Sequence, residues 1–267
     1  MKKDGLGYFY FLIFGFIYVP VKAQDVLLHS KNDTTLNSIG IKYDRTFFDN
    51  GKGKPRHLVN AEYSRKVKKT TLIARLNYAN RFGKSAAQVE ADAYPVLSKK
   101  VYAYLNVGYS PNKMLFPGFR RGMSLYFSLP AKFEVEGGAR YLYFDAPIYI
   151  YTASIGKYYK KFWFNSSVFL SPQNSNISTS LFLKSRYYFN DKDYIMLLFG
   201  KGLSPDNTVD NTFLNTYLKS KKVELTLRRT VYKHYIIFLS TSLSNQQIQN
   251  DEYINQYNMS IGFQFEF

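Results

Sequence analysis

A strict two-residue alternation of apolar and polar side chains constrains the fold of this chain more than any other feature. In the final segment, residues 257–267, every second position is apolar or aromatic, and polar residues or glycine lie between. A period of two places alternate side chains on opposite faces of a β-strand. Segments 71–80, 101–110 and 122–129 repeat the pattern, and almost nothing reads at the helical period. The sequence therefore predicts an all-β fold whose strands have one apolar and one polar face.

The number, length and spacing of these segments indicate a membrane barrel. Nearly all are long enough to cross a bilayer, which takes roughly 9–11 residues per strand. Compact, mostly basic connectors alternate with mostly longer ones rich in Asn, Gly and Pro, which is the wiring of a transmembrane β-barrel. We predict a transmembrane up-and-down antiparallel β-barrel of about 14 strands, with 12 or 16 as alternatives. The predicted strands are 36–47, 56–66, 70–80, 86–96, 100–110, 119–129, 132–144, 147–158, 161–171, 177–189, 194–203, 214–229, 233–246 and 252–267.

The first residues have the features of a secretory signal peptide. Lys2 and Lys3 precede an apolar run over residues 8–19, and a small-residue pattern ends at Ala23. We expect residues 1–23 to be a signal peptide cleaved between Ala23 and Gln24. Residues 24–35 are then a short periplasmic segment, and residues 36–267 form the barrel.

The last strand resembles the C-terminal assembly signal of bacterial outer-membrane proteins. Such a signal implies localisation in the cell outer membrane, contact with its lipid and lipopolysaccharide, and recognition by the barrel assembly machinery. A barrel wall that faces lipid also explains why the alternation continues through the closing strand. The residues that carry the resemblance are Tyr257, Met259, Ile261, Phe263, Phe265 and Phe267.

The formal net charge of +17 has its largest share in the compact connectors. This distribution favours an anionic periplasmic partner or glycan, or lipid phosphates, and export makes nucleic acid the least fitting partner. Strand parity places a nearly balanced set of charges inside the barrel, where opposite charges are expected to pair. The inward set includes Arg75, Glu90, Asp92, Glu134, Glu136, Arg140, Lys184 and Arg186.

The composition offers little for catalysis or metal binding. The chain has no cysteine, and its histidines, His29, His57 and His234, are far apart in the sequence. Hydrolysis needs a nucleophile within hydrogen-bond reach of a base, and the strand of His57 places no serine at a two-residue step from it. We predict no cofactor, no metal and no enzymatic activity, and keep a lipid-acting barrel enzyme as an alternative.

Several segments resemble the YaiO-type outer-membrane β-barrel family. They are "ANRFGKSAAQVEADAYP" (79–95), "YAYLNVGYSP" (102–111), "RRGMSLYFSLP" (120–130), "GARYLYF" (138–144) and "SIGKYYKKFWF" (154–164). The resemblance implies an outer-membrane barrel of a Gram-negative, Bacteroidetes-like bacterium. Some members are similar to the barrel ends of exopolysaccharide export proteins, whose helical repeats are not found in this sequence.

The function expected from these features is passage across the outer membrane. The predicted barrel is a passive pore or translocation channel for a small solute or a glycan-type polymer. The alternatives are a non-conducting structural or adhesive barrel with a salt-bridged lumen, and the lipid-acting enzyme.

Overall fold

The computed structural model describes residues 37–49, 55–81, 83–173, 176–202, 220–249 and 252–267, and these form a closed barrel of 14 antiparallel strands. The predicted fold class and strand number are confirmed. The predicted signal peptide and the periplasmic segment 24–35 lie outside the described residues. The strands are β1 Asn37–Phe48, β2 Arg56–Val67, β3 Thr70–Arg81, β4 Lys84–Pro95, β5 Val101–Tyr109, β6 Phe119–Leu129, β7 Phe133–Tyr143, β8 Pro147–Tyr159, β9 Phe162–Gln173, β10 Asn176–Tyr188, β11 Tyr194–Lys201, β12 Ser220–Val231, β13 Tyr235–Gln249 and β14 Glu252–Glu266.

Each strand pairs with its neighbours in the sequence, and β14 closes the ring on β1. The closing ladder runs from Ser38 opposite Glu266 to Phe48 opposite Gln256. Asn37 and Phe267 exchange two backbone hydrogen bonds, of 3.1 and 2.9 Å. Closure pairs the backbone groups that an open sheet would expose at its edges, which is a requirement inside a bilayer.

The two ends of the barrel differ in their connectors. The terminus end is defined by Asn37 and Phe267 and holds connectors 68–69, 96–100, 130–132, 160–161, 189–193 and 232–234; residues Pro130–Lys132 of this set form a 3₁₀ turn. The loop end is the opposite one. Its long connectors are residues 49–55, 110–118 and 202–219.

Several connectors at the loop end are shorter than the sequence predicted. Backbone pairing continues to Gln173 opposite Asn176 and to Gln249 opposite Glu252, so each of these hairpins has a two-residue connector. The polar residues Ser171, Gln173, Asn176 and Gln247 belong to strands. Their polarity does not mark the end of backbone pairing, because residues outside the apolar zone of the membrane need no apolar side chain.

The outer and inner faces of the wall have opposite character. Leu76, Val107 and Phe263 point outward with about half of their surface exposed, whereas Asn77 and Gln88 point inward and are almost completely buried. This arrangement is the inverse of a soluble protein and suits a wall that lipid surrounds. No helix in the described part of the chain is long and apolar enough to span a bilayer.

Two apolar clusters lie on the inner side of the wall, in its loop-end half. One joins β7 to β11, and the other joins β3 and β4 to the connector between β5 and β6, with Leu58 packed against it. They narrow the interior and leave the remaining space to polar side chains. The first cluster consists of Leu142, Phe144, Ile148, Ile150, Phe169, Phe182 and Leu198, and the second of Ala79, Ala86, Leu115 and Phe116.

Candidate functional site

The barrel interior contains a cavity of about 720 Å³. Among the described residues, every strand except β7 and β8 contributes to its lining. The cavity runs beside β13, β14, β1 and β2, from Gln264 near the terminus end to Ser244 near the loop end. This interior space is the candidate site.

A network of four charged side chains around Arg75 covers one wall of the cavity. The Arg75 guanidinium lies 2.8 Å from Glu62, 3.0 Å from Glu90 and 3.3 Å from Asp92. The second oxygen of Glu90 accepts a hydrogen bond from Arg120 at 3.0 Å. Because Glu90 and Asp92 are buried, these contacts compensate the cost of removing the carboxylates from water.

Arg120 reaches Glu90 because a glycine lies between them. Gly108 of β5 is paired with Glu90 of β4 on one side and with Arg120 of β6 on the other. A Cβ atom on Gly108 would lie 2.7 Å from the Arg120 Cγ and 3.1 Å from the Glu90 Cγ. The glycine therefore leaves the space through which the arginine crosses β5.

The wall formed by β10 and β12 is basic. The Arg186 guanidinium lies 4.7 Å from the ring centres of both Trp163 and Tyr194, and these two cation–π contacts hold it in place. Lys222 is paired with Glu224 at 2.6 Å, and Lys184 lines the same wall. The interior thus carries a compensated acidic wall on one side and a basic wall on the other.

The predicted interior residues of β7 lie beside the cavity, on the inner face of the wall. Glu134 accepts a hydrogen bond from the Tyr102 hydroxyl at 3.3 Å, and Glu136 accepts one from Ser154 at 2.9 Å. The Arg140 guanidinium lies about 6 Å from the rings of Tyr104 and Phe169. Together with the stacked pair of Tyr102 and Tyr126, whose centroids are 4.5 Å apart, these side chains fill this side of the interior.

Three inward arginines were absent from the sequence-based set. Arg56 lines the cavity, Arg81 is buried with its guanidinium 5.2 Å from the Phe48 ring, and Arg120 binds Glu90. Each stands an even number of residues from an inward residue of its own strand, as Arg81 does from Arg75. Counting in twos along the full length of each strand would have assigned these three arginines to the interior.

The connector between β5 and β6 folds into the barrel, which the sequence did not predict. Phe116 is 1% exposed and lines the cavity, and Leu115 is buried beside it. Ser110 anchors the start of the connector by donating to the carbonyl of Ala87 at 2.7 Å, and its amide donates to Gly118 at 3.1 Å. The alternation signal stops at Ser110, so only the apolar "MLFP" run at 114–117 hinted at burial.

The surroundings of His57 bear on the enzyme alternative. His57 Nδ1 lies 2.6 Å from the Tyr43 hydroxyl on the outer face. Ser85, a serine on the same face, is two strands away from His57 and accepts a hydrogen bond from Asn80 at 2.8 Å. This arrangement lacks the contact between nucleophile and base that hydrolysis uses. Within the described residues, no three His, Asp or Glu side chains cluster in a way that could hold a metal ion.

Comparison with known proteins identifies the family. A model of the YaiO membrane beta barrel domain matches residues 36–207. The chain belongs to the YaiO membrane beta barrel family. This YaiO barrel is an outer-membrane protein, and outer-membrane lipid and lipopolysaccharide surround it. Among curated protein sequences, none matches the chain.

Solved structures similar to the YaiO barrel share its fold at low identity. A bacterial polysaccharide outer membrane secretin is 10% identical, with 87% of this chain and 99% of that chain covered and a TM-score of 0.58. Omp33 of Acinetobacter baumannii is 10% identical, with coverage of 87% and 98% and a TM-score of 0.55. The CymD monoaromatic hydrocarbon channel is 8% identical, with coverage of 93% and 94% and a TM-score of 0.59.

The residues of the predicted assembly signal lie on β14 of the YaiO barrel, except for Phe267, which directly follows that strand. Met259 and Phe263 are among the exposed apolar residues of the outer face, and Phe265 stacks on Phe267 and packs against Tyr235. These rings form an aromatic group at the terminus end, at the seam that closes the barrel. Recognition by the assembly machinery stays a prediction.

Proposed function

We propose that this YaiO barrel is a narrow passive pore for small, uncharged polar solutes of the sugar type. The observation that carries the proposal is the interior cavity, where many of the charges are paired and where amide, hydroxyl and aromatic groups, with a few aliphatic side chains, form most of the remaining lining. The terminus end is taken to face the periplasm, as the predicted export route requires. The basic connectors at that end then face an anionic periplasmic partner or glycan.

Pairing of the interior charges argues against a strongly charged solute. The carboxylates of Glu62, Glu90 and Asp92 are engaged by Arg75 and Arg120, so little one-signed potential is left at that wall. A solute ion would have to compete with these contacts and lose its hydration shell as well. A neutral solute neither competes with these ion pairs nor loses the hydration shell of a charge.

Polar groups in the cavity form rows that suit hydroxylated solutes. Asn60 donates to Asn77 at 2.5 Å, and Asn77 donates to Gln88 at 3.1 Å, so the amides cross three neighbouring strands. The rings of Phe169 and Phe182 lie elsewhere on the lining. Amide groups can bind the hydroxyls of a sugar, and aromatic rings can contact its C–H groups.

Phe116 is the side chain expected to limit the bore. It extends into the cavity from the connector between β5 and β6, where Leu115 and the Ala79–Ala86 contact hold it. In planar bilayers, we expect the purified wild-type barrel to give small, stable conductance steps with a slight preference for anions over cations, because the wall formed by β10 and β12 is basic. Phe116→Ala should raise the single-channel conductance, because removing the ring widens the bore.

The control is Met114→Ala, which changes an exposed side chain of the same connector and should leave conductance at the wild-type level. Uptake of neutral sugars into proteoliposomes should rise with conductance. Absence of conductance in both wild type and Phe116→Ala would contradict the proposal. It would favour a non-conducting barrel, for which the apolar cluster between β7 and β11 provides a structural basis.

A further inference from the structure

A row of polar side chains crosses the outer face of the barrel at the loop end. Lys201 of β11 is directly opposite Lys221 of β12, Lys221 is opposite Asn245 of β13, and Asn245 is opposite Asn255 of β14. Their positions alternate with inward residues, so all four side chains point away from the lumen. The row lies at the loop-end border of the outer face, next to apolar residues of the same four strands.

The two lysines at one end of the row form an unfavourable pair by themselves. Like charges directly opposite each other on neighbouring strands destabilise a sheet, because their Cβ atoms are only about 5 Å apart. In the part of the chain that the structure describes, neither ammonium group forms an ion pair. The carboxylate of Asp49, at the other end of the row, is engaged by the side chain and amide of Asn255 at 2.6 and 3.1 Å. The lysine pair therefore calls for an external anion.

An apolar groove of about 660 Å³ lies directly beside the lysines. Its apolar residues on β11–β14 stand two positions nearer the middle of the barrel than the polar row, a distance of roughly 7 Å along a strand. A ligand held at the lysines would thus have an apolar channel leading toward the centre of the membrane. The apolar lining is Leu181, Leu183, Phe199, Val223, Leu243 and Tyr257.

We propose that this surface binds one phosphorylated lipid of the outer leaflet. The phosphate lies between the ammonium groups of Lys201 and Lys221, where charge-assisted hydrogen bonds remove their mutual repulsion. The amide of Asn245, which donates to Asn255 at 2.8 Å, borders the headgroup. The acyl chains follow the groove toward the bilayer centre. The site lies outside the lumen, so it does not depend on conduction by the barrel.

The test measures lipid retention on the full-length mature barrel in detergent. The protein is incubated with bisphosphorylated lipid A, with the same lipid after removal of its phosphates, or with inorganic phosphate. Native mass spectrometry then counts bound lipid, and a thermal melt reports stability. We expect one tightly retained bisphosphorylated lipid and a raised unfolding temperature, with neither effect from the dephosphorylated lipid or from inorganic phosphate.

Variants test whether the lipid is bound at Lys201 and Lys221. The double variant Lys201→Gln/Lys221→Gln should retain the phosphorylated lipid about tenfold less, whereas Lys201→Arg/Lys221→Arg should retain it. Lys99→Gln/Lys100→Gln removes the same charge at the terminus end and should have no effect. Heat-modifiable mobility on gels verifies that each variant is folded. If the double glutamine variant does not fold, Lys201→Gln and Lys221→Gln are tested singly.

Three results would overturn the proposal. Equal retention of the dephosphorylated lipid would mean that the groove binds acyl chains without a phosphate. Equal stabilisation by inorganic phosphate would mean a site for free anions. Equal losses in the two glutamine double variants would mean unspecific attraction by the net charge.

Discussion

Several charged side chains in the lumen are paired with opposite charges, either on a neighbouring strand, as Arg75 is with Glu90, or two residues along the same strand, as Lys222 is with Glu224. Glu90 is the centre of this arrangement, because it binds Arg75 with one oxygen and Arg120 with the other. A buried carboxylate that loses a partner keeps its desolvation cost, so removing one partner costs more free energy than the pair contributes as a unit.

Replacing Arg120 with methionine should therefore lower the free energy of unfolding by about 1–3 kcal/mol. The double variant Arg120→Met/Glu90→Gln should recover most of this loss, since it also removes the buried charge. Trp163 is the single tryptophan, so its fluorescence during urea unfolding in liposomes reports the transition. Arg121→Gln is the matched control, because that neighbour lies against the Tyr141 ring on the outer face. A loss in the double variant equal to that in Arg120→Met would contradict this account.

The two faces of the closing strand β14 have different roles, one toward lipid and one toward the lumen. Its outer face holds the alternating apolar residues of the predicted assembly signal, while its inner face continues the polar lumen wall. At its end, Phe267 is half-exposed, and Glu266 forms an ion pair with Lys192 at 2.9 Å. An outer aromatic residue and an inner charged residue thus stand side by side at the end of the chain.

Deletion of Phe267 should sharply reduce the amount of heat-modifiable barrel in outer-membrane fractions. The reason is that recognition by the assembly machinery precedes folding, while one interfacial ring is a small part of the finished wall. Glu266→Gln is the control, and it should leave the assembled amount near wild type, because it weakens the inner contacts with Lys192 and Arg228 and leaves the outer aromatic face unchanged. If both variants assembled as well as the wild type, or both lost equally, the ending would be only a part of the wall.

The molecule as a whole divides its charge between an almost compensated lumen and a strongly basic terminus end. The connectors at that end carry Lys68, Lys69, Lys99, Lys100, Lys132, Lys160, Lys161, Lys192 and Lys233. If this end faces the periplasm, the lysines meet the phosphates of the inner leaflet, and they also discourage pairing between barrels before insertion. The whole arrangement requires export of the chain before it folds.

Removal of residues 1–23 should leave the protein in the cytoplasm, where it stays unfolded and is degraded. The physical reason is that the outer wall is apolar, so the barrel has no stable folded state without a bilayer. Cell fractionation with an antibody against the barrel measures the outcome, and a variant that changes only Gln24 to Ser serves as the control for expression. Arrival of the truncated chain in the outer membrane would contradict the signal-peptide prediction.

The sequence by itself determined the barrel, the strand number and the faces of most residues. The physical reason is that a strand in a bilayer must show an apolar side chain at every second position, and this constraint is local. Arg75, Glu90 and Asp92 could be assigned to the interior by counting in twos along their own strands. Arg56, Arg81 and Arg120 obey the same rule and were within reach of it.

Only the tertiary structure decided which side chains meet inside the barrel. Parity gives a face but no partner, so the contact of Arg120 with Glu90 over Gly108 depends on the register of three strands. The inward fold of Phe116 depends on a loop, for which alternation gives no rule. The pairing of Lys201 with Lys221 joins strands separated by an 18-residue stretch, 202–219, and arises only when β11 and β12 align. In each case the decisive quantity is a distance between residues that lie far apart in the sequence, and a one-dimensional pattern does not contain such a distance.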